Sequence, residues 1–170
     1  MPITLHSFID IYTRALDTGT HLIAKAEGFA AENGVTEADM LGWRLADDMN
    51  PLSFQISVVA DFTAGWAARA AALPVPDRID WTTADLAALK AAIAASRASV
   101  GAITAEQLAG RDDQPLTVQI TDTIEPTLPV ERWIASFATT NVHFHLSMIY
   151  AILRANGVPL GKIDMFPAGL

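Results

Sequence analysis

The chain has 170 residues, no cysteine, and a net charge of −8 from 19 acidic and 11 basic side chains. This length fits one domain over residues 1–170, and the lack of cysteine excludes disulfides, thiolate metal sites and a cysteine nucleophile. The negative charge excludes a nucleic-acid partner, since a phosphate backbone would be repelled. No apolar run reaches the ~18 residues of a membrane span and no signal peptide is visible, so we expect a cytoplasmic protein that binds no membrane.

The first predicted helix runs from Ile3 to Ala30, and Asn33-Gly34 supplies its stop signal. Apolar residues recur along it at three- and four-residue steps, which is typical of an amphipathic helix. A connector from Val35 to Asn50 follows. It contains enough apolar residues to pack against the domain, and it has room for one short helical turn.

The second predicted helix begins at Pro51, with Asn50 as its cap, and ends before Pro74. One side of it is apolar and the other is nearly all small. We therefore expect another helix to approach the small side closely, inside the bundle or across a dimer interface. The apolar side comprises Leu52, Ile56, Val59, Phe62, Trp66, Ala70 and Leu73, and the small side comprises Ser57, Asp61, Ala64, Gly65, Ala68 and Ala72.

The third predicted helix opens with Thr82 and Asp85, at a spacing close to that of a capping box, and ends near Gly101. From Pro115 to Thr127 apolar residues recur at every second position instead of every third or fourth, which predicts a short β-hairpin. Its turn is placed at Thr121-Asp122, and Pro126 would make its second strand an edge strand.

The fourth predicted helix runs from about Pro129 to Ala155 and stops at Asn156-Gly157, with an extended tail from Val158. Four amphipathic helices and one small hairpin before the last helix predict an all-α fold, an up-down four-helix bundle. The apolar line expected along this last helix is Val130, Ile134, Phe137, Phe144, Met148, Ile149 and Ile152.

Two segments of the chain resemble a known family. They are Arg44–Met49 with Pro51-Leu52, before the second helix, and the run Asn141–His145, Tyr150–Arg154 and Asn156–Lys162. Both resemble signatures of the DUF1993 family of uncharacterised bacterial proteins, in the DinB/YfiT-like superfamily of metalloenzyme-like proteins. The resemblance covers nearly the whole chain in the same order.

This resemblance implies an up-down four-helix bundle that is commonly a homodimer. It also implies a divalent metal such as zinc or nickel, which many members hold with three histidines. One of these lies on the second bundle helix and two lie four residues apart on the last. Some members act as thiol-dependent transferases or hydrolases.

The chain departs from that histidine triad. Laid on this sequence, the three positions correspond to Gln55, Asn141 and His145. Two amides and one imidazole form a degraded set for zinc, which prefers imidazole, thiolate or carboxylate ligands. We therefore expect a weak site for zinc or nickel at best, with His145 as the best single candidate ligand.

The same three residues admit two interpretations. Gln55, Asn141 and His145 lie on apolar helix faces, so they are expected to be buried and hydrogen-bonded to one another or to water. They form either a structural polar network or a pocket for a small ligand or a remnant metal site. His143 lies about 200° around the helix from His145, so the two are not a helical metal-binding pair, and His143 is expected at the surface or in an interface.

Two connector residues complete the candidate site. Asp48 precedes the second helix, where the helix dipole alone explains a carboxylate. Alternatively it reaches the pocket mouth as a base or ligand, with Arg44 as its partner.

Three functions follow from the sequence. The first is a DinB-like bundle with a pocket around His145 that binds an unknown small ligand or is structural. The second is a metal- or thiol-dependent transferase or hydrolase, and the third is a dimeric interaction module that uses the small side of the second helix.

Overall fold

A computed structural model describes residues 3–167 and 169. Four of its helices are long: α1 (Leu5–Asn33), α3 (Leu52–Ala70), α4 (Leu86–Gly101) and α7 (Thr139–Ala155). The smaller elements are α2 (Glu37–Gly42), α5 (Ala105–Leu108), β1 (Pro115–Thr117), β2 (Thr127–Pro129), α6 (Val130–Arg132), a π-helical segment (Trp133–Ala138) and a 3₁₀ helix (Lys162–Met165). In the described part of the chain, no helix is long and apolar enough to cross a membrane.

The four long helices form a bundle in which α4 and α7 lie on opposite sides of the α1–α3 pair. Helix α1 packs against α3, α4 and α7. Helix α3 also packs against α4 and α7. One continuous hydrophobic core fills the space between them, with Tyr12, Leu16, Ile56, Ile93 and Ile149 among its most buried side chains. The predicted all-α bundle with a hairpin before its last helix is confirmed.

Contacts between the helices give their directions. Lys90 pairs with Glu27 and Arg97 with Asp17, so α1 and α4 are antiparallel. Helices α3 and α7 are also antiparallel, because His145 meets the start of α3 while Trp133, just before α7, stacks near its end. The directions are therefore up for α1, down for α3 and α4, and up for α7.

Helices α3 and α4 can run the same way because the segment between them, residues 71–85, returns along α3. The amide of Ile79 donates to the Asp61 carboxylate at 3.4 Å, and Trp81 packs edge-on against Phe54 near the start of α3. Asp85 then caps α4 by accepting a hydrogen bond from the amide of Ala88.

This returning segment covers the small side of α3. A Cβ added at Gly65 would lie 3.6 Å from Val75, so the segment passes close to the helix surface. Ser57 and Ala68 on the same side are also buried within the single chain. The small side therefore has an intramolecular packing role, and the third function expected from the sequence loses the surface that suggested it.

Helix boundaries differ from the sequence-based expectations by a few residues. Helix α3 begins at Leu52 rather than Pro51, and the Asn50 side chain makes no cap hydrogen bond. Helix α4 begins after Asp85, so Thr82 lies outside it and bonds Asp80 instead. Helix α1 ends as expected at Gly34, whose φ of 67° is the left-handed conformation that glycine adopts without strain.

The hairpin is confirmed with a shifted second strand. Strand β1 pairs antiparallel with β2, with Leu116 opposite Leu128, and a bridge between Thr121 and Ile124 closes the turn at the predicted place. Pro126 lies just before β2, where its carbonyl accepts a hydrogen bond from the Val118 amide.

The last helix contains a π-helical segment that the sequence did not indicate. Residues 130–155 are helical throughout, but Trp133–Ala138 has i→i+5 geometry. The wider turn rotates the following residues relative to a regular helix, so Phe144 is 53% exposed instead of lying in the core. The buried line of the last helix is Val130, Ile134, Ala138, Val142, Leu146, Ile149, Ile152 and Leu153.

Candidate functional site

The predicted pairing across the bundle between Gln55 and His145 is present. Gln55 lies in the first turns of α3 and is only 3% exposed, whereas His145, in the middle of α7, is half-buried. The distance between His145 Nδ1 and Gln55 Oε1 is 2.8 Å. His145 was expected to be buried and is only half-buried, because the π-helical segment turns it toward the edge of the core.

The hydrogen bonds of Gln55 determine the tautomer of His145. Gln55 Nε2 donates to the carbonyl of Asn50 at 3.0 Å, which leaves the Oε1 acceptor facing the imidazole. The Nδ1 atom of His145 must therefore carry the proton and donate it. In a neutral imidazole the other nitrogen, Nε2, then keeps its lone pair as an acceptor.

Burial keeps this imidazole neutral. The pKa of His145 is lowered below its usual value by desolvation, which penalises the charged form. Its Nε2 atom makes no hydrogen bond with the described residues, and no polar side-chain atom among them is both enclosed and unpaired. An unprotonated Nε2 that is not enclosed can therefore meet a donor from outside the chain.

Aromatic rings surround the imidazole. The ring centroids of Phe144, Phe54 and Phe62 lie 5.1, 5.8 and 6.4 Å from that of His145. Phe54 and Phe62 are eight residues apart on α3, so they fall on one face of that helix. These residues, Gln55, His145, Phe54, Phe62 and Phe144, are called the His145 face below.

The third triad position, Asn141, has a different role. Its Nδ2 atom donates to the Phe137 carbonyl at 2.8 Å. Thr139 likewise donates its hydroxyl to the Ile134 carbonyl at 2.8 Å. Both carbonyls belong to the π-helical segment, so these two side chains bond its backbone. Asn141 makes no hydrogen bond to His145 or Gln55 among the described residues.

Arg44 and Asp48 lie in the exposed connector and do not form the predicted pair. The Arg44 guanidinium donates to the carbonyls of Gly42, Asp47 and Met49, at 3.3 to 3.5 Å, and so organises its own loop. The described residues give Asp48 no hydrogen bond or ion pair. The connector reaches the His145 face through a different residue, Asn50, whose carbonyl orients Gln55.

The residues at the triad positions do not fit a divalent metal. Gln55 Oε1 accepts from His145, and Asn141 is turned to the helix backbone. Zinc and nickel favour imidazole, thiolate or carboxylate ligands, of which this set has one. Across residues 3–167 and 169, no three His, Cys, Asp or Glu side chains are grouped closely enough to hold a metal.

The other histidines lie away from this face. His143 is exposed on the opposite side of α7, as predicted from its spacing. His21 is within 2.8 Å of the Asp164 carboxylate and so fastens the 3₁₀ helix to α1, a structural contact that the sequence did not indicate. His6 is exposed near the start of α1.

Sequence reasoning missed the aromatic part of the His145 face. Phe62 and Phe144 were assigned to core stripes, and Phe54 was not considered. The available signal was position, since Phe54 precedes Gln55 and Phe144 precedes His145 in the chain. Because Gln55 and His145 meet across the bundle, the residues that precede them in the chain are also expected close to this contact.

The family comparison agrees with the fold. The model of the family described as Domain of unknown function (DUF1993) matches residues 5–166. No curated protein gives a significant match. The crystal structure of a DinB family member protein from Shewanella denitrificans at 1.83 Å resolution is similar, with a TM-score of 0.83 and 24% sequence identity over 96% of this chain and 95% of that chain. The chain therefore belongs to the DUF1993 family and has a DinB-like fold.

Proposed function

We propose that this protein binds a small organic molecule at the His145 face without a metal. The observation that carries the proposal is the hydrogen-bond chain from the Asn50 carbonyl through Gln55 to His145 Nδ1. It fixes the imidazole in one orientation and one tautomer. A side chain held this way presents a defined acceptor, which is the usual role of the few polar groups in a mostly apolar site.

The chemistry of the face selects the kind of ligand. Three phenylalanine rings offer apolar and edge-on aromatic contact, and the neutral Nε2 offers one hydrogen-bond acceptor. The matching ligand has a planar apolar body with one O–H or N–H donor. A cationic ligand fits less well, because no carboxylate contacts His145 among the described residues.

An enzymatic use of the same atom is the second candidate. A neutral imidazole with a free Nε2 is the form that a general base requires, and a pKa below the usual value keeps it in that form at neutral pH. His145 would then take a proton from a bound thiol or hydroxyl. A transferase or hydrolase that works in this way would not require Gln55 or Asn141 to bind a metal.

We also propose that the protein is a homodimer, as the superfamily resemblance implies, and that it is cytoplasmic. The small side of α3 is covered by residues 71–85, so the dimer would have to use another surface. Light scattering should then give about twice 18.2 kDa. A mass of 18.2 kDa at high concentration would contradict the dimer and leave the ligand proposal intact.

The ligand proposal is tested with phenol and its methyl ether, anisole, which differ in the presence of the donor. Chemical-shift mapping should place phenol at Phe54, Phe62, Phe144 and His145. Phenol should bind more tightly than anisole, and His145→Phe should remove that difference while retaining the ring.

The matched control is His6→Phe, which alters an exposed histidine elsewhere and should leave phenol binding unchanged. Equal binding of phenol and anisole to the wild type would contradict the role of Nε2. Phenol signals outside the His145 face would contradict the site itself.

A further inference from the structure

A cavity lies on the opposite side of α7 from His145. It has a volume of about 350 Å³ and lies between α1, α7 and the C-terminal segment that includes the 3₁₀ helix. This is within the range of small-molecule sites, at its lower end. The His145 face does not share its lining residues, so the two features are separate.

The interior of this cavity is apolar. Ala15 and Leu146 are buried and form its inner side, and Ile11 is partly exposed beside them. Met165 and Phe166 form the opposite wall, and Phe166 is 40% exposed. A ligand here would bury an apolar body between the bundle and the C-terminal segment, which is favourable in proportion to the area removed from water.

The wall is fastened to α1 at several points. Asp164 accepts from His21 and lies 3.7 Å from Lys25. The Thr18 hydroxyl is within 3.3 Å of the Met165 carbonyl, and Arg14 donates to the carbonyl of Gly169 at 3.3 Å. Because the wall is anchored along its length, the cavity is a preformed feature of the fold.

Two basic side chains line this apolar space, Arg14 and His143, and its described lining residues include no Asp or Glu. Arg14 uses one N–H for the Asp10 carboxylate at 3.1 Å and one for Gly169. A guanidinium has five N–H donors, so three remain without a partner among the described residues. His143 also makes no hydrogen bond with them.

From this arrangement we propose that the cavity binds a small carboxylic acid with an apolar body. The carboxylate would accept charge-assisted hydrogen bonds from Arg14, with His143 as a second donor. The hydrocarbon part would lie against Leu146 and Met165.

The experiment compares 3-phenylpropionate with 3-phenyl-1-propanol by isothermal titration calorimetry, because the two probes differ mainly in charge. The acid should bind the wild-type chain at least about tenfold more tightly than the alcohol, the factor expected for one charge-assisted hydrogen bond. Arg14→Gln should weaken acid binding about tenfold and leave alcohol binding unchanged. His143→Gln should weaken acid binding by a smaller factor.

The matched control is Arg97→Gln, which removes an exposed arginine that also pairs with an aspartate of α1. It should leave acid binding unchanged. Chemical-shift mapping with the acid should perturb Ala15, Leu146 and Met165, and these signals in unliganded Arg14→Gln should match the wild type if the wall is intact. Equal affinity for acid and alcohol, full acid affinity in Arg14→Gln, or perturbations confined to the His145 face would each overturn the proposal.

Discussion

At the scale of single residues, Gln55 and His145 illustrate how a half-buried polar pair is held. Gln55 is nearly inaccessible, so its carbonyl oxygen depends on the imidazole for a hydrogen bond. An enclosed acceptor that loses its partner costs about 1–3 kcal/mol. The pair therefore contributes to stability as well as providing an oriented imidazole.

The first prediction follows from this dependence. His145→Ala should lower the free energy of unfolding by about 1–3 kcal/mol, because Gln55 Oε1 is left without its donor. His143→Ala, an exposed position on the same helix, should change it by less than about 0.5 kcal/mol. Urea denaturation of both variants gives the comparison. Equal effects would mean that the Gln55–His145 hydrogen bond adds nothing to stability.

The second prediction concerns pH. Because the folded-state pKa of His145 is lowered, the unfolded chain takes up this proton first as the pH falls. Stability rises with pH wherever the unfolded state binds more protons. The contribution of His145 is therefore complete above the unfolded pKa of about 6.5 and decreases as the pH falls from there toward the folded pKa.

Urea denaturation at pH 7 and pH 5 measures this effect. Wild type should lose more stability over that interval than His145→Gln, which cannot titrate. His6→Gln is the control and should behave like wild type. A loss in His145→Gln as large as that of wild type would show that the pKa of His145 is not lowered by folding.

How much of this site could be predicted from the sequence depends on the residue. The contact between Gln55 and His145 was expected, because both lie on the inner faces of predicted helices that a bundle brings together. The separation of Asn141 from them was not, because its partner is a backbone carbonyl of the π-helical segment, which the sequence did not indicate. Arg44 likewise bonds loop carbonyls that only a folded connector brings within reach.

At the scale of elements, the π-helical segment decides which residues of the last helix face the core. Periodicity reasoning assumes 3.6 residues per turn throughout, so it placed Phe144 and Met148 inside. The observed line includes Val142 and Leu146 instead. No local sequence pattern predicts the π-helical segment. The contacts that stabilise this segment come from another helix and from side chains that also occur in regular helices.

The third prediction concerns the side chains that support the π-helical segment. Tyr12 of α1 is fully buried, and its hydroxyl lies 3.3 Å from that of Thr139, which donates in turn to the Ile134 carbonyl. Thr139→Val should destabilise the protein by about 1–3 kcal/mol, since it leaves the buried Tyr12 hydroxyl without its acceptor, whereas the Ile134 carbonyl still accepts from the residue 139 amide. Tyr12→Phe should cost less, about 0.5–1.5 kcal/mol, since Thr139 keeps its bond to Ile134.

A double-mutant cycle measured by thermal or urea unfolding tests the connection between these two side chains. The combined variant should cost less than the sum of the single changes, by about 0.5 kcal/mol or more, because one hydrogen bond is removed in both. Strict additivity would show that Tyr12 and Thr139 do not interact in solution.

At the scale of the whole molecule, the returning segment of residues 71–85 sets the bundle topology. The sequence indicated that the second helix ends before Pro74, but not where the chain goes next. Its course depends on long-range contacts, such as Trp81 with Phe54 and Ile79 with Asp61. The pKa of Asp61 is raised by its burial beneath this segment. The residues on the small side of α3 are small because residues 71–85 pack over them. Helix periodicity alone could not distinguish this packing from a dimer interface.

The last prediction concerns the stability of the whole fold toward metal and chelator. Consider a metal that binds only the native state and is present at a free concentration about one hundred times its dissociation constant. It would stabilise the protein by about 2.7 kcal/mol, an effect visible in the melting temperature. With Gln55 and Asn141 engaged elsewhere, we expect chelator treatment to leave the melting temperature of wild type unchanged and added zinc or nickel to leave it unraised. The melting temperature of His145→Ala should likewise not respond to chelator or added metal.

Two results together would contradict the metal-free site. Chelator would lower the stability of wild type but not of His145→Ala, and elemental analysis would find stoichiometric zinc or nickel. They would also show that the hydrogen bonds of Gln55 and Asn141 yield to metal coordination.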